Sequence, residues 1–241
     1  MIGGDPARRI FCAIDTDTLP SALRLAKTLG RHIGGVKVGL EFFTAVGPEG
    51  VKAIAAIAPL FLDLKFHDIP NTVAGAVRSA VALRPVFLTV HVTGGEAMLR
   101  AAKTAAVKAA VEMEVVRPLL LGVTVLTSLD QTDLDRIGLR GPTGERTFAL
   151  AELAERVGLD GVVASAQEAK GIRDRFGPDF KLVVPGLRPA FTKNEDQKRA
   201  MTPAEAVAAG ADFLVIGRPI TQAADPLEAL QRIVEEIDAG P

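Results

Sequence analysis

Three features of these 241 residues predict an α/β fold, a closed (β/α)8 barrel built by one domain. Short apolar runs recur at near-regular intervals, segments of helical period lie between them, and polar residues stand where the runs end. The runs cover residues 10–15, 35–40, 60–66, 86–92, 119–126, 161–165, 181–187 and 213–217. Most are apolar at both parities, as parallel strands covered by helices must be, whereas a strand with one wet face alternates.

The connecting segments follow in order. Residues 21–32 place Ala22, Leu25, Ala26 and Leu29 on one face, after the start signal Asp17-Thr18. Residues 74–83 and 96–112 are alanine-rich with charges on the opposite side, and 146–157 repeat that pattern. Thr202-Pro203 opens a helix over 204–209, and Asp225-Pro226 opens the last, over 226–237; a cap followed by proline suits the first turn. Strand and helix alternating eight times favour the closed TIM barrel over an open sheet. No Pro/Gly/Ser linker, charge run or low-complexity tract divides residues 1–241, so they read as a single domain. The stretch 189–197 is the one polar loop long enough to move.

Composition narrows the function. Hydrophobic residues make up 48%, enough for one core without disulfides or metals. The 28 basic and 29 acidic residues are mixed along the chain, leaving a net charge of −1. Neither nucleic acid nor an anionic membrane is expected as a partner, because both call for a basic surplus. An anionic ligand would have to be met by a few placed cations. The single cysteine, Cys12, lies in an apolar run and reads as a small core residue. With three scattered histidines no metal site is expected. The N-terminus has no apolar signal core, and no apolar run approaches about 18 residues, so the reading is cytoplasmic.

Charges at the ends of apolar strands carry the functional signal, since an unpaired buried charge costs several kcal/mol. Asp15 ends the first run, Lys37 sits in the second, His91 ends the fourth, and Thr127-Ser128 follow the fifth. The third reads Leu60-Phe61-Leu62-Asp63-Leu64-Lys65-Phe66, followed by His67-Asp68. Asp63 and Lys65 share a parity, so both face the barrel mouth while Leu62, Leu64 and Phe66 face the helices. The mouth would then hold Lys37, Asp63, Lys65 and, just beyond, Asp68. Flanking carboxylates favour the ammonium form of Lys65, which suits a proton donor. A cluster that merely fixes register is the alternative. Pro185-Gly186-Leu187-Arg188-Pro189 and Ile216-Gly217-Arg218-Pro219 end the last two strands, where barrels commonly hold phosphate. Glycine admits an oxyanion to the backbone and arginine can grip it bidentately. Gln197 could add a neutral donor if its loop folds over.

The run Asp63-Leu64-Lys65-Phe66-His67-Asp68-Ile69-Pro70-Asn71-Thr72 resembles the signature of orotidine 5′-phosphate decarboxylases. The resemblance continues through Ala13-Ile14-Asp15, Val36-Lys37-Val38-Gly39, Asp196-Gln197-Lys198-Arg199 and Val215-Ile216-Gly217-Arg218-Pro219-Ile220, and the Asp-Gln-Lys-Arg loop looks like the bacterial form. Residues 189–194 do not align clearly with that pattern. The resemblance implies decarboxylation of orotidine 5′-monophosphate (OMP) to uridine 5′-monophosphate (UMP), the last step of UMP biosynthesis, without metal or cofactor. It implies that Lys65 protonates C6 of the pyrimidine, that Asp63 sits by the departing carboxylate, and that Asp15 and Lys37 bind ribose hydroxyls. Thr127, with Ser128, would contact the base; Arg188, Gln197, Gly217 and Arg218 would hold the phosphate. Asp68 and Thr72 would reach into the partner's site in a homodimer. Two alternatives stand beside it: a Mg2+-dependent sugar-phosphate decarboxylase or aldolase sharing the Asp-x-Lys-x-x-Asp core, and a non-catalytic nucleotide-binding barrel. The Ile-Pro-Asn-Thr continuation and the Gln197 loop fit OMP better.

Overall fold

The computed structural model describes residues 5–192 and 201–241. Its strands fall inside the eight apolar runs: β1 (Ile10–Ala13), β2 (Gly35–Gly39), β3 (Leu60–Phe66), β4 (Phe87–His91), β5 (Leu119–Val123), β6 (Gly161–Val163), β7 (Lys181–Pro185) and β8 (Phe213–Ile216). Every neighbour pairs in parallel and β1 pairs with β8, which closes the barrel. Several strands stop short of the runs that predict them. Asp15, Thr127 and Arg188 have left the ladder and belong to the loops of the mouth.

The helices are α1 (Leu19–Leu29), α2 (Leu40–Ala55), α3 (Pro70–Val81), α4 (Gly95–Glu112), α5 (Gln131–Arg136), α6 (Thr143–Arg156), α7 (Ala166–Phe176), α8 (Pro203–Ala208), α9 (Arg218–Thr221) and α10 (Pro226–Ala239). The start signals act as expected at two of them. Thr202 and Glu205 cap α8 reciprocally, and the Asp225 carboxylate accepts from the N–H groups of Leu227 and Glu228. Among the described residues no helix is long and apolar enough to cross a membrane.

Alternation along the strands sorts the core into two shells. Leu62, Leu88, Leu120, Val162 and Leu214 point outward into the layer shared with the helices. Phe11, Phe61, Phe87, Leu121, Val183 and Val215 fill the barrel interior. Phe87 centres an aromatic plug, with ring centroids 4.9 Å from Phe11, 4.8 Å from Phe213 and 5.5 Å from Phe61. These rings come from the first or second residue of their strands, so they stopper the N-terminal end and leave the C-terminal end open. Two clamps tie strand pairs at the stoppered end. The Asp160 carboxylate, just before β6, receives both Arg117 Nη atoms at 2.7 Å and the Leu120 N–H at 2.7 Å. Asp212, just before β8, likewise receives Arg173 at 2.6 Å and the Leu182 N–H at 2.7 Å.

Candidate active site

The open mouth is a cavity of about 330 Å3 lined by Asp15, Lys37, Asp63, Lys65, Thr127, Arg188, Gly217 and Arg218 among others. That volume lies within the range of small-molecule sites. β2 carries Lys37 inward, and only 11% of its side chain is exposed. Its Nζ lies 3.6 Å from Asp15 Oδ1 and 3.6 Å from Asp63 Oδ2. The Lys65 Nζ donates to that same Asp63 oxygen at 2.7 Å. Asp15, Lys37, Asp63 and Lys65 therefore form one line of alternating charge across the mouth, with the buried Lys37 and the half-buried Lys65 each beside a carboxylate that offsets its desolvation.

Lys65 reaches this line from an irregular backbone. Leu62 pairs with Leu88 and Phe66 with Val90, so the register shifts and β3 bulges between Leu62 and Phe66. Within the bulge Lys65 adopts φ +50°, a left-handed conformation that residues with side chains rarely hold outside special sites. The bulge leaves Leu62 and Leu64 buried against the helix layer and Phe66 packed on it, as parity predicts. Asp63 and Lys65 do face the mouth together.

Asp68 departs from the expected array. It is exposed, its Oδ1 accepts from the Ile69 N–H at 2.6 Å, and it lines a separate shallow groove with His67, Ile69, Pro70, Thr93 and Gly94. The chain turns away after Phe66, so within one chain the fourth charge of the line is Asp15. Thr72, in the first turn of α3, is exposed outside the cavity, as is Ser128 beyond its rim. Gln197 lies outside the described residues.

The loops after β7 and β8 bring Arg188 and Arg218 to the same cavity. Gly186 has φ +76°, so the turn between β7 and Arg188 suits glycine. At Gly217 a Cβ would lie 3.3 Å from the Ala13 Cβ and 3.9 Å from Asp15 Oδ2, so glycine lets this loop close against β1. Between the two ends the wall is apolar, formed by Val123, Val163, Pro185 and Val215. These residues and the fully buried Thr89 are absent from the set that charge patterning selects, because an inward-facing valine in a strand is indistinguishable in sequence from any core valine. The site thus combines a line of alternating charge, an apolar wall and two arginines. That arrangement can orient an anionic, phosphate-bearing ligand and present an ammonium to one of its atoms.

His91, at the end of β4, stacks on His67 with ring centroids 5.5 Å apart. Burial first, then the charges of His67 and Lys65, lower its pKa below the ordinary value. Burial likewise pushes the Cys12 thiol up to about 12, which leaves it inert as a nucleophile. Among the described residues no three His, Cys, Asp or Glu side chains group as a metal site would group them.

Known proteins resemble the chain over nearly its whole length. Residues 8–233 match the orotidine 5′-phosphate decarboxylase/HUMPS family. An orotidine 5′-phosphate decarboxylase of Paramagnetospirillum magneticum is 50% identical over 229 residues, 95% of this chain and 97% of that one. One from Rhodospirillum rubrum is 51% identical over 230 residues, covering 95% and 93%. The crystal structure of an orotidine 5′-phosphate decarboxylase from Lactobacillus acidophilus superposes with a TM-score of 0.84 at 36% identity, covering 96% of this chain and 99% of that one. With its barrel, its Asp63–Lys65 pair and these relatives, the chain belongs to the orotidine 5′-phosphate decarboxylase/HUMPS family.

Proposed function

We propose that the chain, acting as one unit over residues 1–241, decarboxylates OMP to UMP and CO2 with Lys65 as the proton donor. The observation that carries the reading is the Lys65 ammonium, held 2.7 Å from Asp63 in a cavity that ends in two arginines. Breaking the bond between C6 and the carboxyl carbon leaves an electron pair at C6 that the ring does not delocalise as a β-keto acid would. A fixed cation where that charge develops lowers the barrier without reorganisation. Lys65 then transfers one proton to C6, CO2 departs, and the neutral amine regains a proton from solvent. In this reading the charge is handled by side chains, and no metal or cofactor is required.

The other roles are those the family resemblance implies, and most of the residues concerned line the cavity. Asp63 sits by the substrate carboxylate, Lys37 and Asp15 bind ribose hydroxyls, and Thr127 contacts the base. Arg188, Arg218 and the Gly217 backbone hold the phosphate, with Gln197 as a further donor. The grip at that end is remote from C6 and supplies binding energy that orders the reacting groups. The enzyme acts as a cytoplasmic homodimer in which Asp68 and Thr72 complete the partner's site. Supporting this, both are exposed beside Ile69, an apolar side chain 67% exposed, and neither lines its own chain's cavity.

Turnover of OMP by purified protein in EDTA tests the reading, followed by loss of the orotidine chromophore with UMP identified as product. The chain has no Trp or Tyr, so its ultraviolet background is low. Metal-independent conversion is expected. OMP binding without turnover would instead support a non-catalytic barrel, and turnover of a sugar phosphate only with Mg2+ would support the other branch of the family.

A further inference from the structure

We propose that Thr89 is a positioning residue for the decarboxylation, its single hydroxyl fixing both members of the Asp63–Lys65 pair. Thr89 lies on β4, faces the barrel interior and is 0% exposed. A hydroxyl there is costly unless both donor and acceptor capacity are used. It uses both. The Oγ1 atom donates to Asp63 Oδ1 at 2.9 Å and accepts from the Lys65 backbone N–H at 2.9 Å.

Each bond has a separate consequence for the site. Occupying Oδ1 of Asp63 turns the other oxygen, Oδ2, toward Lys65 at 2.7 Å and Lys37 at 3.6 Å. Capturing the Lys65 N–H satisfies a donor that the shifted register has taken off the ladder, since Asp63, Leu64 and Lys65 stand between the pairs Leu62–Leu88 and Phe66–Val90. The left-handed backbone of Lys65 persists only where its surroundings hold it. Thr89 is the side chain that holds it, from 24 positions away in sequence. Packing alone does not explain a hydroxyl here, because valine has the same shape and would suit an inward position between Phe87 and Val123. The inference rests on Asp63 and Lys65 being the reacting pair.

The test compares Thr89→Val with Thr89→Ser by kcat and KM on OMP and by UMP affinity. Removing the hydroxyl frees the carboxylate to rotate and the bulge to relax; a displacement of about 1 Å lowers kcat about 100-fold. KM and UMP affinity stay within about threefold, because the arginine end is untouched, and Thr89→Ser recovers kcat to within about fivefold. Wild-type turnover by Thr89→Val overturns the proposal, and so does Thr89→Ser as impaired as Thr89→Val. A loss of UMP affinity equal to the loss of kcat overturns it too, since general disordering would do that. If Thr89→Val is insoluble, Thr89→Ala against Thr89→Ser carries the same comparison. Lys65→Ala is measured alongside. Turnover by that variant removes the reading of the pair itself, whereas inactive Lys65→Ala beside fully active Thr89→Val removes Thr89 alone.

Discussion

Replacing Lys65 by alanine deletes the ammonium 2.7 Å from Asp63 Oδ2, and with it two separate contributions to rate. One is general-acid delivery of the proton to C6, which is worth about 10²- to 10⁴-fold. The other is stabilisation of the charge developing at C6, about 10²- to 10³-fold for one preorganised donor. Taken as independent they multiply to at least about 10⁴-fold in kcat/KM, or about 5.4 kcal/mol at 1.36 kcal/mol per decade. The structure makes this a lower bound. Asp63 has a side chain only 11% exposed and would keep Lys37 at 3.6 Å and the Thr89 hydroxyl as partners, so the substrate carboxylate would meet a carboxylate with its closer counter-ion gone. Binding of UMP should change little, because Arg188 and Arg218, which also line the cavity, keep their grip on the phosphate. Single-turnover conversion of OMP gives the rate, and calorimetric titration with UMP gives the binding. A rate loss under about tenfold would refute the assignment, since neither general-acid nor electrostatic loss is that small. A rate loss matched by an equal loss of UMP affinity would show a collapsed site and refute the separation of roles.

Four further outcomes are expected. Arg218→Ala should lose about 3 kcal/mol of transition-state binding on OMP, the scale of charged hydrogen bonds, yet hardly affect orotidine, which lacks the phosphate; equal losses on both would remove Arg218 from the phosphate end. Mixing inactive Lys65→Ala with inactive Asp68→Asn protein should restore some turnover through hybrid dimers with one intact site, and no recovery despite proven subunit exchange would place Asp68 in its own chain. Asp160→Ala leaves Arg117 without its counter-ion, keeping only its bond to the Pro118 carbonyl, and the Leu120 N–H without its carboxylate. Because Arg117 is one-third exposed, the cost should be about 2–3 kcal/mol, below that of a fully buried pair, and Tm should fall by about 5–10 °C in a thermal melt. His91 is held below its ordinary pKa of 6.5, so between its folded value and 6.5 the folded state binds fewer protons than the unfolded chain. Stability from His91 is then complete above pH 6.5 and is lost as pH falls through that window; urea midpoints at about pH 5 and about pH 8 should lie closer together in His91→Gln, and an unchanged gap would discard the effect.

The strands were legible because a parallel strand covered on both sides must be apolar throughout, and few other elements of that length are. Helix α2 was not. Gly47, Pro48 and Gly50 interrupt its period, and Gly47 at φ +77° kinks it, so its amphipathic pattern belongs to two short pieces. Helix α7 is obscured by charge, with only Ala169 and Ile172 buried along it. At the site, Lys37, Asp63, Lys65, Arg188 and Arg218 stand out because each is a charge inside an apolar run or directly after one. Sequence order misplaces Asp68 for a simple reason: two residues past a strand end the direction of the chain is set by the turn, and here the Asp68 carboxylate bonds its own neighbouring N–H.

The parity argument for Asp63 and Lys65 reaches the observed placement by a route the molecule does not take. A regular strand would set the two side chains on one face, two residues apart, with the Lys65 N–H on the ladder. Here the strand bulges and the Lys65 backbone turns left-handed, with its ammonium 2.7 Å from the carboxylate. The bulge is held by a hydroxyl on β4, which reaches β3 only when the two strands pair. The two-residue motif Asp-x-Lys is therefore a necessary part of the pair but not a sufficient one. Its geometry belongs to the pairing of β3 with β4, since the same three residues without β4 beside them would lack the Thr89 hydroxyl that bonds both the carboxylate and the Lys65 N–H.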